Sequence, residues 1–242
     1  MAERELAAKL TEWLDKQLRA AGAEGFVVGL SGGIDSAVAA ALCQRARPER
    51  TLGIIMPCHS DPRDAEDARL LAETLGIPYK TIVLDDVFEQ FLKVLCGETY
   101  DPAGCDLTIA NIKPRLRMTT LYFHAARRRS LVVGTSNRSE LMVGYFTKYG
   151  DGGADLLPLA NLVKGEVYTL ASALGVPQRI IERKPSAGLW RNQCDETELG
   201  VTYRELDDYL LFGKGSPRAC EIIEGWIAKS EHKRMMPLIP PV

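Results

Sequence analysis

Apolar positions along the chain repeat with two different periods, and the alternation between them marks out helices and strands. Leu6, Leu10, Trp13, Leu14 and Leu18 share one helical face, so residues 3–21 are predicted as an amphipathic helix that stops at Ala21-Gly22. Gly25 to Leu30 (GFVVGL) is short, apolar and β-rich, and it runs through Ser-Gly-Gly directly into the helical stretch AVAAALCQRA. TLGIIMP then reads as a strand, DPRDAEDARLLAETLG as a helix with a proline start and a glycine stop, and YKTIVLD as a further strand. DDVFEQFLKVLC and the longer run Thr108 to Arg129 are predicted helical, the second ending in three arginines that suit a helix C-terminus. SLVVGT supplies one more buried strand. Alternating strands and helices predict an α/β fold, a doubly wound parallel sheet flanked by helices.

Beyond Gly144 the texture changes to a glycine-rich segment, KYGDGGADLLPL, and then to short helices around VKGEVYTLASALG and TYRELDDYL. A final helix is predicted near Arg218 to Lys229, followed by a tail, SEHKRMMPLIPPV, that either docks or flaps. Residues 1–242 are expected to form one domain: the N-terminal helix, an α/β core over about 25–143, and substrate loops with C-terminal helices over about 144–242.

Composition changes this picture mainly by exclusion. At 46% hydrophobic and 26% charged, the 242 residues are ordinary globular material. Lys and Arg number 30 against 32 Asp and Glu, a formal net charge of -2. A nucleic-acid-binding face is therefore not expected, and any phosphate must be met locally. Six cysteines without a C-x-x-C pair and only three histidines suggest reduced thiols in a cytoplasmic protein rather than a zinc site. The charged N-terminus lacks the apolar centre of a signal peptide and no stretch reaches membrane-spanning length, so no membrane association is expected.

The sharpest chemical feature is Ser31-Gly32-Gly33-Ile34-Asp35-Ser36, placed where a strand end meets a helix start, the position where parallel sheets bind ligands. Two glycines permit a tight turn with exposed N–H groups, Ser31 and Ser36 add hydroxyls, and the helix start adds positive dipole, which together make a nest for phosphate. The plainer alternative is a turn whose helix is capped by Asp35 or Ser36. Neither G-x-x-x-x-G-K-[ST] nor G-x-G-x-x-G occurs, so the P-loop and dinucleotide fingerprints are excluded.

SGGIDS resembles the SGG-x-D-S signature of the ATP pyrophosphatase (PP-loop) superfamily, whose loop holds the β- and γ-phosphates that leave together. Ser136-Asn137-Arg138-Ser139-Glu140 and the stretch Gly144 to Leu159 closely resemble the ammonia-dependent NAD synthetases. So do NIKPRLRM (Asn111 to Met118), Lys164 in NLVKGEVY, KPSAGLW (Lys184 to Trp190), QCDETELG (Gln193 to Gly200) and EHKR (Glu231 to Arg234), in order along nearly the whole chain. The resemblance implies an adenine nucleotide alpha hydrolase-like fold and a two-step ligation. The nicotinate carboxylate of deamido-NAD attacks the α-phosphate of the co-substrate ATP with loss of pyrophosphate; ammonia then displaces AMP, giving NAD. Glutamine-using relatives carry an additional amidase domain for which this chain has no space, so ammonia, free or passed from a partner, is the expected donor. A homodimer, with the dinucleotide near the subunit interface and loops around Lys184 to Glu198 closing over ATP, is also implied.

Carried over by position, the match puts Gly29, Leu30, Ser31, Gly32, Gly33, Ile34, Asp35 and Ser36 on the ATP phosphates, with Asp35 and Glu140 as Mg²⁺ ligands. Thr135, Lys164 and Ser186 fall at ATP-contacting positions; Arg115, Lys148, Asp155, His232 and Lys233 fall at positions that bind deamido-NAD. Asp35, Glu140, Lys164 and Asp155 form the expected catalytic group. Asp155 suits either a ribose or ammonium. Plainer readings remain beside these. Asn137 and Glu140 have N-cap and N3 spacing; Lys148 and Lys164 are of a type that is usually solvated; His232 and Lys233 lie in the tail.

Two stretches depart from the family pattern. Many relatives carry an acid and a histidine where Ser136 and Asn137 stand, and MPCHSDPRD (Met56 to Asp64) matches only loosely, leaving the adenine contact unassigned. Two rival functions stay open. One is another adenylating pyrophosphatase, such as a tRNA-thiolating or GMP-forming enzyme, although a tRNA substrate predicts a basic face and paired cysteines. The other is a module that binds ATP without turnover, which predicts loss of the acids at Asp35 and Glu140.

Overall fold

In the computed structural model, which describes residues 2–190 and 193–240, four short parallel strands form a sheet in the order β3-β2-β1-β4. They are β1 (Gly25–Gly29), β2 (Thr51–Ile55), β3 (Tyr79–Thr81) and β4 (Ser130–Val133). β1 is central, pairing Phe26 with Thr51 of β2 and Leu131 of β4. The helices are α1 (Ala2–Ala20), α2 (Ile34–Ala46), α3 (Pro62–Leu75), α4 (Asp85–Cys96), α5 (Leu107–Ala110), α6 (Ile112–Arg128), α7 (Arg138–Val143), α8 (Lys164–Leu174), α9 (Gln178–Ile181), α10 (Asp195–Leu199), α11 (Tyr203–Phe212) and α12 (Pro217–Arg234).

Both faces of the sheet are covered at β1, β2 and β4, which is why these strands are mostly apolar, whereas the edge strand β3 (Tyr79-Lys80-Thr81) is largely exposed. Phe26 and Val28 of β1 pack into one core with α1, α2, α3 and α8, while Val27 points to the other core with Phe88 of α4 and Ala125 of α6. α2 is buried nearly all round, and its small side chains, Ala37, Ala39, Ala40 and Ala41, let sheet and helices approach from several directions. Leu14, Leu18 and Leu42 are fully buried, each contributing about 2 kcal/mol in area terms. A third cluster joins Val143 of α7 to Leu206 of α11 and to Ala219 and Ile223 of α12.

The chain builds β1, β2 and β3 outward in one direction and then returns to place β4 on the other side of β1. The carboxyl ends of β1 and β4 therefore flank a crevice at the point where the strand order reverses. An isolated parallel bridge between Val133 and Leu156 brings the glycine-rich segment to the same edge.

Expected elements largely appear, with informative differences. YKTIVLD contributes only Tyr79–Thr81 as strand, while Ile82 and Leu84 still donate to the Ile55 and Pro57 carbonyls beyond it. The helical run 108–129 breaks at Asn111, whose side chain accepts from the Thr147 hydroxyl at 2.7 Å. α3 has the proline start and left-handed Gly76 stop that its sequence announces. The last helix does not end near Lys229 but continues to Arg234, because Lys233 and Arg234 donate to the carbonyls of residues 141–146. Gly144 allows this docking: it sits at φ 67°, and a Cβ there would lie 2.1 Å from that of Ser230. The end of the tail, residues 241 and 242, and residues 191 and 192 within Lys184 to Glu198 lie outside the described residues.

Candidate active site

The turn after β1 is built from its own hydroxyls. Ser31 N–H and Oγ–H both donate to Ser36 Oγ (3.2 and 3.0 Å), Gly33 N–H donates to Ser31 Oγ (3.2 Å), and Ser36 Oγ–H donates to the Gly33 carbonyl (2.9 Å). Gly32 adopts φ 80°, and a Cβ there would come 2.5 Å from the Asp64 carbonyl oxygen at the start of α3. Gly33 occupies the N-cap of α2 and no side chain caps that helix. The capping alternative for Asp35 and Ser36 therefore fails. α2 starts where β1 ends at the crevice, and no side-chain cap takes up its first N–H groups.

Asp35 is turned toward a buried lysine. Lys164 Nζ donates to Asp35 Oδ2 at 2.6 Å and to Glu140 Oε1 at 3.1 Å. Lys164 is only 2% exposed, so it is not a solvated surface lysine. Asn137 completes the arrangement in two ways: its Nδ2 donates to Asp35 Oδ1 at 2.8 Å, and it forms a capping box with Glu140 at the start of α7. Glu140 thus does cap its helix, with one oxygen, while the other meets Lys164.

Two carboxylates sharing one ammonium leave a buried excess of negative charge. Burial, reinforced by the Asp35 carboxylate, pushes Glu140 up to about 7 against the opposing pull of Lys164. For Lys164, burial favours the neutral amine, but Asp35 and Glu140 outweigh it and hold the ammonium above the usual lysine range. Among the described residues no group of three or more His, Cys, Asp or Glu side chains is placed to hold a metal ion. Asp35 and Glu140 are two hard oxygen donors facing one space, which fits an ion such as Mg²⁺ that takes one or two carboxylates and completes its shell with water and substrate phosphates.

The residues expected on deamido-NAD fall in two places. Arg115 Nη2 donates to the Lys148 carbonyl (3.4 Å), Lys148 Nζ to the His232 and Met235 carbonyls (2.5 and 3.3 Å), and Lys233 Nζ to the Gly144 and Phe146 carbonyls (both 2.8 Å). These cations come together where the segment 144–150 meets the end of α12, and His232 beside them is exposed. Asp155 lies instead against β4, where its carboxylate accepts from Val132 N–H at 2.7 Å and from the Tyr122 hydroxyl at 3.0 Å. Thr135 is half-buried just beyond β4, and Ser186 is exposed, its Oγ accepting from Gly188 N–H at 3.2 Å.

Several polar residues of this region had no role assigned from the motifs, although Lys113 lies inside one of them, NIKPRLRM. Tyr203 lies with its ring 4.7 Å from Lys164 Nζ and its hydroxyl between Glu140 and Asp195. Arg183, two residues beyond α9, pairs with Asp64 and with the buried Asp67 (3.1 Å), joining the end of α9 to α3 beside the turn. Lys113, 1% exposed, donates to the Tyr100 hydroxyl and the Leu189 carbonyl (both 2.9 Å). Asn137, by its capping spacing to Glu140, and Lys113, by its place in NIKPRLRM, had a signal in the sequence; Tyr203 and Arg183 had none.

The family model described as NAD synthase matches residues 6–237. An NH(3)-dependent NAD(+) synthetase from Carboxydothermus hydrogenoformans is 51% identical over 237 residues, spanning 98% of this chain and 97% of that one. Among solved structures, the NMN synthetase from Francisella tularensis matches with a TM-score of 0.94 at 42% identity over 100% of both chains. The NH3-dependent NAD synthetase from Campylobacter jejuni matches with a TM-score of 0.81 at 30% identity, again over 100% of both.

Proposed function

Since the chain belongs to the NAD synthase family, we propose that it converts deamido-NAD to NAD with ATP and ammonia, through an adenylated intermediate and with release of pyrophosphate and AMP. The observation that carries this reading is the Lys164 ammonium clamped between Asp35 and Glu140 beside the uncapped turn 31–36 at the crevice of the sheet. The turn offers backbone donors and a helix dipole to the two phosphates that leave together, and Lys164 supplies the nearby positive charge. Asp35 and Glu140 would hold Mg²⁺, which when bound offsets charge growing on the leaving pyrophosphate. Gly29 and Leu30 deliver the chain to the turn; Thr135 and Ser186 border the crevice and the segment beside it.

The substrate carboxylate and ammonia are themselves the nucleophiles, so the protein's work is alignment and charge compensation. In the first step a carboxylate oxygen bonds to the α-phosphorus while the bond to the β-phosphate oxygen breaks. In the second, ammonia nitrogen bonds to the carbonyl carbon, AMP leaves, and the surplus proton passes to solvent. Arg115, Lys148, His232 and Lys233 are assigned to the dinucleotide, and Asp155 to a ribose or the ammonium, whose N–H groups its free lone pairs can accept. Purified protein given ATP, Mg²⁺, ammonium and deamido-NAD should form NAD and AMP in equal amounts. ADP and inorganic phosphate as products, or AMP formed without deamido-NAD, would refute the reading. No NAD from ammonium, or efficient use of glutamine alone, would refute the donor assignment.

A second reading, a mononucleotide acceptor yielding NMN, is favoured by the likeness to the Francisella tularensis NMN synthetase. It also suits Lys148 and Lys233, whose ammonium groups hold the chain's own carbonyls. The ratio of kcat/KM for nicotinate mononucleotide and deamido-NAD decides between them. We further place the protein in the cytoplasm as a homodimer. An exposed apolar stripe on α4, Val87, Phe91, Val94 and Leu95, with Val83 just before it, is a face suited to a second copy. No described helix is long and apolar enough to cross a membrane.

A further inference from the structure

The described part of the segment between α9 and α10 lies beside Asp64, the residue of α3 that abuts the phosphate turn. A Cβ on Gly188 would sit 3.7 Å from Asp64 Oδ2, and the carbonyl of that same Asp64 crowds Gly32. Arg183 anchors the start of this segment on Asp64 and Asp67, and farther along the Leu189 carbonyl accepts from Lys113 (2.9 Å), Leu189 N–H donates to Gln193 Oε1 (2.7 Å) and Ala187 N–H donates to Asp195 Oδ1 (2.8 Å). The last differs from the others because its acceptor leads back to the reacting centre. Asp195, 4% exposed, also accepts from the Tyr145 hydroxyl at Oδ1 (3.1 Å) and from the Tyr203 hydroxyl at Oδ2 (3.1 Å). Tyr203 in turn lies under Lys164, with its hydroxyl 3.5 Å from Glu140 Oε1.

We propose that Asp195 is a positioning residue that holds the segment 186–189 beside Asp64 and the phosphate turn, and that Tyr203 ties this grip to the Lys164–Glu140 pair. A tyrosine hydroxyl has one proton, and here two carboxylates compete for it. Any cation or donor that bound nucleotide brings to Glu140 removes one competitor and leaves Tyr203 donating to Asp195 alone. The carboxylate then has Tyr203 and the Ala187 N–H as its own donors, beside Tyr145, whose one proton it shares with Glu198 Oε2 at 2.8 Å, and the segment is fixed in place. This rests on the proposed binding of ATP at residues 31–36.

Backbone hydrogen exchange of the peptide containing Ala187, measured with and without Mg²⁺ and an ATP analogue carrying a methylene between its α- and β-phosphates, tests it. In the wild-type protein the analogue should slow exchange there at least about tenfold. Tyr203→Phe, which keeps the ring under Lys164, should still bind the analogue within about fivefold of wild type yet lose that slowing. Asp195→Ala, which removes both acceptor oxygens, should exchange fast with or without analogue and show a raised KM for ATP. In Tyr145→Phe, whose hydroxyl does not contact Glu140, the segment should exchange faster but keep its response. Exchange in β1 and α2, unchanged across the variants, separates positioning from a general loss of structure. Wild-type protein that binds the analogue without protecting the segment overturns the proposal, as does full protection in Tyr203→Phe. Absence of analogue binding to wild-type protein overturns the proposed ATP site itself.

Discussion

Gly32 and Lys164 show how single residues take their meaning from what stands opposite them. Gly32→Ala is strained twice, by a left-handed backbone and by the Asp64 carbonyl 2.5 Å from the new Cβ. It should lose about 1–3 kcal/mol of stability, read as a lowered urea midpoint, together with ATP binding. The three buried charges behave differently according to which is removed. Asp35→Asn leaves one ammonium with one carboxylate and an amide oxygen still able to accept from Asn137, so folding should persist while turnover falls about 10²–10³-fold. Lys164→Met leaves two half-buried carboxylates without a cation and should destabilise the protein by about 1–3 kcal/mol. Equal stability of these two variants in urea would contradict this account of the site. The cysteines give a further check. Burial pushes Cys58 up to about 11 and raises Cys43 further still, whereas Cys96 and Cys105 are exposed. Iodoacetamide at neutral pH should modify Cys96 and Cys105 in the native protein and spare Cys43 and Cys58.

Among the elements, α6 carries the most varied load. Its early turns supply Lys113 and Arg115, its middle packs on the sheet and presents Tyr122 to Asp155, and its end gathers Arg127, Arg128 and Arg129. Arg129, left-handed at φ 51°, closes the helix and pairs with Glu24. Burial, then Lys80, Arg127 and Arg128, hold His124 below the usual histidine value. The unfolded chain therefore binds a proton at this position before the folded one does as pH falls. Its contribution to stability is complete above about pH 6.5 and declines as pH drops through the folded value. Thermal unfolding of His124→Gln between pH 5 and 7 should show a shallower decline than wild type; parallel curves would exclude this role. α12 gains its length in the same contextual way, through carbonyls at the end of α7 that accept from Lys233 and Arg234.

For the molecule as a whole, the crevice is a consequence of chain order. β4 returns to the far side of β1, so the phosphate turn and Glu140 face one another although they lie about a hundred residues apart in sequence. The α4 stripe belongs to this scale too, because apolar side chains on one exposed face gain burial only from another chain. Light scattering should report a dimer for the wild type, and Val87→Lys with Phe91→Glu should give a monomer. A wild-type monomer at assay concentration would exclude that interface.

The alternation of strands and helices, the parallel sheet and the turn at residues 31–36 were legible in the amino-acid sequence. Each rests on local patterning: apolar periodicity, a proline start, a glycine stop, two glycines between strand and helix. The resemblance of ordered motifs also located Lys164 and Glu140. What local pattern does not encode is partnership. That Lys164 is buried between two acids, that Asn137 positions Asp35, that Asp195 reaches both Ala187 and Tyr203, and that Lys148 and Lys233 hold the chain's own carbonyls all depend on segments far apart in sequence. Those contacts form only when the sheet and the helices around it have packed, since a side chain's charge, hydrogen bonds and exposure are properties of its surroundings rather than of its type.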